Sequence, residues 1–388
     1  MTKHFMVAFY SCYVFVKNII DRIKYNVKDK TFILALKHRV MREKGESARI
    51  AFVGAGIHST ESLYPNIPMI PEFDLVAVCD LIEERARLKA KKYGAPNYYR
   101  DVEVMLDKVK PQGVCICGPP DMHYEVGLKV LERGIPIWVE KPPAPNLAKT
   151  MELAELAKKR NTFGMVGFMK RFAPANLVAK EFMKSSAFGK LSSITVIHGC
   201  GPYEDVRNML SFNGIHMIDL LRFFAGDVER LFAYAYNPPE NVKAVSVSIQ
   251  LANGAVGQLN QNSGHTWSDC FEQTYISGSG VGILIDASRA VEVMSENGRF
   301  AKGEGLRLFG WSNRYYVSGN MAGWFASGHY TRGYWGELDH FAKACLGMVK
   351  PAATLEDGVE AMSIIEAMMA SLKGGKPIYM KDVNQIVE

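Results

Sequence analysis

Arg49-Ile50-Ala51-Phe52-Val53-Gly54-Ala55-Gly56-Ile57-His58-Ser59 reads as a short apolar run, with β-branched Ile50 and Val53, that breaks into a glycine turn. A second apolar run, Leu75-Val76-Ala77-Val78-Cys79, ends at Asp80. Strand, glycine turn, helix, strand and acid in this order predict a dinucleotide-binding βαβ unit. Gly54 lets the chain turn sharply, and Gly56 lets the backbone approach a pyrophosphate. Ser59 is a small residue where helix and strand must pack closely. Asp80 follows at the distance of about 20 residues from which an acid reaches a ribose 2′-OH. Such an acid repels a 2′-phosphate, and Leu81 and Ile82 beside it supply no cation. NAD is therefore expected rather than NADP.

The pattern continues outward from this unit. Helices are predicted over 83–93, ended by Gly94, and over 102–108. A buried strand over 113–117 stops at Gly118-Pro119-Pro120. A helix over 122–133 and a strand over 135–139 follow, the latter stopping at Glu140-Lys141-Pro142-Pro143. A helix over 147–160 and a strand over 163–168 complete the run. Regular strand–helix alternation implies an α/β fold with a doubly wound parallel sheet. From about residue 191 the pattern changes. After a strand over 191–198 and a helix over 210–224, six period-two runs lie close together, at 228–236, 242–251, 255–262, 272–277, 281–286 and 290–294. Asn253-Gly254 makes a hairpin turn between two of them. Helices over 335–346 and 355–372 close the chain. The expected domains are 49–168, a dinucleotide-binding unit, and 169–388, an α+β unit with a large, mostly antiparallel sheet.

A chain of 388 residues holds two domains of ordinary size, and 48% hydrophobic with 22% charged residues is a globular composition. The net charge of +6 sits in residues 1–44, where ten lysines and arginines face three acids. The rest is nearly neutral, which gives no electrostatic support for nucleic-acid binding. Residues 1–48 form a basic extension with an apolar run at 5–16, shorter than the about 20 residues of a membrane-spanning helix. Three readings stand: contact of 5–16 with an anionic membrane surface, an arm that packs on a partner subunit, or a protein that begins near Met41. The latter two are preferred. Cys12, Cys79, Cys115, Cys117, Cys200, Cys270 and Cys345 are odd in number and scattered, which reads as reduced thiols in a cytoplasmic protein. No Cys/His cluster has ligand spacing, so no metal is expected.

In a doubly wound fold ligands bind beyond the carboxyl ends of the strands. That rule selects the turn with Gly54, Gly56, His58 and Ser59, together with Asp80, Pro119-Pro120 and Glu140-Lys141. Lys141, held in direction by two prolines, is placed to take or relay a proton from a substrate hydroxyl; the alternative is a plain surface lysine. Taken with His123 after the Pro119-Pro120 pair, Glu140-Lys141-Pro142, Gly167-Phe168-Met169-Lys170-Arg171-Phe172, Gly214-Ile215-His216-Met217-Ile218-Asp219 and the closing helices, the ordered set resembles the Gfo/Idh/MocA family, named for glucose–fructose oxidoreductase and inositol dehydrogenase. The resemblance covers roughly residues 49–380.

The resemblance implies a Rossmann domain, a C-terminal sheet used for homo-oligomerisation, and hydride transfer between NAD and a hydroxyl of a sugar, sugar derivative or cyclitol. It makes Lys141 and His216 the catalytic pair, and His123 and Glu140 part of the cofactor site. Histidine's pKa near 6.5 suits a base on an alcohol. His216 and Asp219 share a helix face, so Asp219 either orients the ring or binds substrate. Arg171 either contacts substrate or cofactor or forms an ion pair at the domain junction. The family often carries an Asp four residues before the histidine. Here Phe212 stands there with Asn213, a candidate substrate contact, beside it; Tyr203, Glu204 and Asp205 are candidates to replace the acid. Trp311, Tyr330 and Trp335 either stack on a sugar or pack in the core. Two other functions remain open: an NAD-dependent glycosidase or lyase working through transient oxidation, and an NAD-binding sensor without turnover.

Overall fold

The computed structural model describes residues 46–267, 270–295, 312–316, 327–383 and 385. The readings of the apolar run at 5–16 and of Trp311 lie outside these residues.

The first sheet consists of β1 (Ala48–Val53), β2 (Phe73–Cys79), β3 (Asn97–Tyr99), β4 (Gly113–Ile116), β5 (Ile137–Val139) and β6 (Gly164–Val166). All its pairs are parallel and the order is β3-β2-β1-β4-β5-β6. The order reverses between β1 and β4, which is where such a sheet opens a crevice for a ligand. The strands are almost wholly apolar because helices cover both faces. Those helices are α1 (Glu83–Tyr93), α2 (Val102–Val109), α3 (Pro120–Glu132) and α4 (Leu147–Lys159). Asp101 and Asn146 cap α2 and α4 through their side chains.

The link from β1 to β2 departs from the regular helix of such units. Ser59–Leu63 is π-helical and Tyr64–Met69 is a 3₁₀ helix. Pro65 and Pro68 bring no N–H, so an i→i−4 ladder cannot continue through them.

The second half begins with a 3₁₀ turn, Met169–Phe172, and α5 (Pro174–Met183). After β7 (Ser193–Gly199), the single helix expected over 210–224 is in three parts: α6 (Val206–Met209), a π-helical turn over Leu210–Gly214, and α7 (Ile215–Ala225). Single π turns inside helices are frequent at functional sites. The strands β8 (Val228–Tyr236), β9 (Ala244–Leu251), β10 (Val256–Asn262), β11 (Phe271–Ser277), β12 (Val281–Asp286), β13 (Ala290–Ser295) and β14 (Ser312–Tyr316) follow. Then come α8 (Gly328–Thr331), α9 (Tyr334–Cys345), α10 (Leu355–Gly374) and β15 (Ile378–Tyr379).

The second sheet runs β14-β13-β12-β11-β7-β10-β9-β8-β15. β7 and β10 are parallel, whereas β9 pairs antiparallel with β8 and β10, and β11 with β7 and β12. One face buries Val196, Leu259, Val247 and Ala233; alternation leaves Tyr234, Tyr236 and Tyr275 exposed on the other. α9 returns to the first sheet, where Tyr334, Leu338 and Phe341 join the core around Phe52 and Trp138. Ala353 also bonds to Val166 at the edge of that sheet. The chain after residue 169 therefore helps to build both halves.

The cysteines correct one expectation. Cys200 and Cys270 form a disulfide; among the described residues Cys79, Cys115, Cys117 and Cys345 are free. Gly199 and Phe271 are opposite partners on antiparallel β7 and β11, so the next residue out on each strand end faces the other. Their Cα atoms are 4.7 Å apart, inside the range a disulfide spans. A separation of 70 residues hides this pairing from the sequence. Among the described residues no helix is long and apolar enough to cross a membrane.

Candidate active site

Gly54 leaves β1 with φ +104°, and a Cβ there would lie 1.9 Å from the Cys117 carbonyl oxygen. Only glycine fits such a turn. At Gly56 an added Cβ would meet nothing within 4 Å, so this side of the turn is open to a ligand. Asp80 is tied to the turn: Oδ2 accepts the Ala55 N–H at 2.7 Å and Oδ1 the Ile82 N–H at 2.8 Å. Exposed Ile57 and Leu81 flank it as apolar surface. Ser59 is buried and its hydroxyl bonds back to Gly56, so it closes the turn from inside. Pro119 and Pro120 open α3 at the end of β4. An open turn, an acid at the end of β2 and an apolar shelf match the three parts of a dinucleotide: pyrophosphate, ribose and adenine.

His123 is buried, and both ring nitrogens are engaged. Nε2 accepts the Gly118 N–H at 2.9 Å, so Nδ1 carries the proton and donates to the Pro142 carbonyl at 2.8 Å. Burial lowers its pKa further, which keeps the ring neutral. This ring ties the end of β4 to the loop after β5, with no nitrogen left for a ligand.

Glu140 is buried. Its Oε1 lies 3.0 Å from His58 Nε2, and its Oε2 accepts the Lys141 N–H at 2.9 Å. Burial alone would raise its pKa, but the His58 ring and the Lys141 ammonium outweigh that and hold it below the usual range. The glycine turn and the lysine loop are thus joined through one carboxylate. The Lys141–Pro142 peptide is cis. From this loop the Lys141 Nζ donates to the Phe212 carbonyl at 2.9 Å, in the π-helical turn.

His216 follows on α7, nearly buried, with Nδ1 lacking a partner. Burial first, then the positive charges of Lys141 and Lys170, push its pKa well below 6.5. It is a neutral ring beside an ammonium. None of the expected acids supports it. Asp205 caps α6 by accepting from Asn208, Glu204 is exposed, and Tyr203 bonds to Asn213.

Arg171 and Asp219 are joined to each other rather than turned to the cleft. Arg171 Nε reaches Asp219 Oδ1 and Oδ2 at 3.0 and 2.9 Å, and its Nη2 reaches Oδ1 at 2.6 Å. Arg171 Nη1 also donates to Asp357 at 3.0 Å, and Arg222 bonds Asp357 at 3.1 Å. Asp219 is fully buried, and burial pushes its pKa up to about 6 against the pull of Arg171. Of the alternatives open in the sequence, the ion pair is the one present. Trp335 donates its indole N–H to the Met69 carbonyl, and its ring lies 5.7 Å from that of Tyr330.

Four buried or half-buried polar residues near His216 have no role in the sequence reading. Lys170 pairs with Glu272; His198, opposite Glu272 on β7, bonds Gln261 at 3.2 Å, and burial drives its pKa down to about 4. A fifth, Glu337 on α9, is fully buried behind Trp138 and Glu140, and burial together with the Glu140 charge raises its pKa well above the usual range.

The oxidoreductase family with an NAD-binding Rossmann fold, GFO_IDH_MocA, matches residues 48–168, and the C-terminal alpha/beta domain of the same family matches residues 209–380.

This chain belongs to the Gfo/Idh/MocA oxidoreductase family.

It is 29% identical to a D-glucoside 3-dehydrogenase of Escherichia coli (strain K12) over 46% of this chain and 54% of that protein. The chain thus spans about half the length of that relative. It is 24% identical to a myo-inositol 2-dehydrogenase of Thermotoga maritima over 86% of this chain and 99% of that protein. A solved levoglucosan dehydrogenase in complex with NADH and L-sorbose shares the fold, with a TM-score of 0.72, 19% identity and coverage of 87% of this chain and 99% of that one. The family match makes residues 48–168, which carry the first sheet, an NAD-binding Rossmann domain, and residues 209–380 the C-terminal alpha/beta domain of an oxidoreductase family.

Proposed function

We propose that the protein oxidises a secondary hydroxyl of a sugar, sugar derivative or cyclitol, with Lys141 and His216 handling the hydroxyl proton. The observation that carries this reading is the 2.9 Å bond from the Lys141 ammonium to the Phe212 carbonyl, one helical turn before His216. It brings the loop after β5 and the helix bearing the imidazole to one place at the carboxyl end of the Rossmann sheet. When bound, NAD supplies the hydride acceptor. Gly54 and Gly56 give its pyrophosphate room, Asp80 takes a ribose hydroxyl, and the Pro119-Pro120 shelf borders the cleft. His58 and Glu140 hold the turn and the lysine loop in register. Lys141 polarises the substrate oxygen, and neutral His216 accepts the proton. His123 and the Arg171–Asp219 pair position these groups without touching the substrate, while Asn213 supports the cleft wall through Tyr203.

The relatives named above are dehydrogenases, which favours simple oxidation over oxidation followed by elimination. We further propose a homo-oligomer through the exposed face of the second sheet, where Tyr234, Tyr236 and Tyr275 stand; sedimentation analysis tests it. A cytoplasmic location belongs to the same proposal. The Cys200–Cys270 bridge speaks against it, because disulfides are rare in reducing compartments; a thiol count on protein quenched in the cell tests it. The main test is a screen of sugars and cyclitols by nicotinamide absorbance with the holoenzyme. Turnover that requires Lys141 and His216 is expected. Retained NAD with no oxidation of any such compound would leave the sensor reading in its place.

A further inference from the structure

The Cys200–Cys270 bridge has no part in the proton chemistry, yet a line of contacts joins it to Lys141. Cys200, just past β7, is buried, whereas Cys270, just before β11, is half-buried. The segment 263–267 lies directly on residues 199–201. A Cβ on Gly199 would meet His265 at 2.3 Å, and one on Gly201 the Ser263 carbonyl oxygen at 2.5 Å, so glycine at both places lets the two stretches touch. The Thr266 carbonyl oxygen sits 3.9 Å from Cys200 Sγ and 3.8 Å from Cys270 Sγ. Next to it, the Trp267 ring lies edge-on 5.1 Å from that of Tyr203, which the chain ties to Cys200 through Gly201-Pro202. Tyr203 bonds Asn213, and Asn213 follows Phe212, whose carbonyl takes the Lys141 ammonium at 2.9 Å. The free thiols Cys79, Cys115, Cys117 and Cys345 all have their pKa raised by burial, so none of them is a ready thiolate to exchange with the bridge. Its state answers to a thiol from outside, which reaches Cys270 first.

We propose that this bridge is a redox switch on the cleft wall. Oxidised, it holds 263–267 and Tyr203 in the contacts that order the π-helical turn and Lys141; reduced by a dithiol, it releases them and weakens substrate binding. One thiolate of the dithiol attacks Cys270 Sγ, the S–S bond breaks, and its electron pair leaves on Cys200 Sγ, which takes up a proton. The second thiolate of the dithiol then displaces the Cys270 sulfur, which is protonated in turn. The bridge gains two electrons and two protons, and the dithiol ends as its own disulfide. Such switching suits a reducing compartment, where bridges are transient rather than structural. The effect on substrate rests on the proposed function; the effect on the chain does not.

The test compares the NADH-loaded protein before and after dithiothreitol, with the bridge read by mass after alkylation. Reduction is expected to speed backbone hydrogen exchange at Cys200 and Tyr203, whose N–H groups bond to Asn262 and Asn241, and in the 210–214 turn, while the glycine turn at 54–59 keeps its rate. KM for the best oxidised of myo-inositol, D-glucose and methyl β-D-glucoside rises about two- to tenfold, the cost of re-ordering a side chain on binding, and the NADH dissociation constant stays the same. Cys200→Ser/Cys270→Ser has the raised KM from the start and does not respond to dithiothreitol, with folding checked by the melting temperature. Exchange over 200–216 that complete reduction leaves unchanged overturns the switch. So does an unchanged KM, or a bridge that is absent under air or closed to dithiothreitol in the folded protein. Faster exchange on reduction, with no sugar or cyclitol oxidised in either state, keeps the switch on the chain and removes the dehydrogenase reading, so the two failures are distinct.

Discussion

Replacing Arg171 with Met keeps the aliphatic stem but removes the guanidinium that meets Asp219 in three contacts of 2.6–3.0 Å. Asp219 is fully buried, so the variant leaves a carboxyl without its main partner. Breaking one side of a buried pair costs about 3–5 kcal/mol. For a chain of this size, at the lower end of about 2–4 °C per kcal/mol, the melting temperature falls by roughly 6–10 °C. The sign of the pH dependence follows from Asp219. Its folded pKa of about 6 lies above the ordinary 3.8, so its contribution is full below that ordinary value and lost as pH rises through about 6. Without Arg171 the folded pKa rises further. The deficit is therefore largest at neutral pH and narrows as pH approaches about 4. Scanning calorimetry across that range reads it directly. The double variant Arg171→Met/Asp219→Leu removes both charges and is expected to recover most of the loss. A single variant that melts like the wild type but shows a raised KM for substrate would refute the ion-pair reading and return Arg171 to the substrate.

Three more outcomes are expected. His216→Asn lowers kcat/KM for alcohol oxidation by about 10²–10⁴-fold while NADH still binds, measured by absorbance and fluorescence. Because the pKa of His216 is held well below 6.5, this base stays unprotonated through neutral pH; a wild-type acid limb near 6.5 that vanishes in His216→Asn would contradict that. Gly54→Ala yields no NADH-binding protein, since its Cβ would meet the Cys117 carbonyl at 1.9 Å, and normal fluorescence quenching on NADH addition would show the turn to be different. Asp80→Asn weakens NADH binding and narrows the preference for NADH over NADPH, compared by titration of both.

The parts of the site that were legible in sequence are those coded by short-range chemistry. Gly54, Gly56 and Asp80 announce a turn and a strand end, and Glu140-Lys141-Pro142 and His216 stand in compact motifs. The pairing of Arg171 with Asp219 and Asp357 was not, because the partners lie 48 and 186 residues away. Asp219 sits on the helix face of a possible ligand as readily as on that of an ion pair, and spacing does not distinguish them. Two missed residues did leave a signal. Glu337 interrupts the apolar stripe of Tyr334, Leu338 and Phe341 at helical spacing, and His198 continues the inward alternation of Ile194 and Val196. Lys170 stands in the Gly167–Phe172 motif, but its burial depends on Glu272, on a distant strand, which the motif does not reveal. The strands of the second sheet were visible as period-two runs, whereas the π turn before α7 was not, because such turns follow from packing rather than composition.

The ammonium of Lys141 already has a backbone oxygen as company. An ammonium has three N–H donors, so one is spent on the peptide carbonyl and two remain. The clasp fixes where the charge stands without using it up: an incoming hydroxyl would join the carbonyl on the same head, and its direction of approach, rather than its strength of contact, is what the clasp restricts.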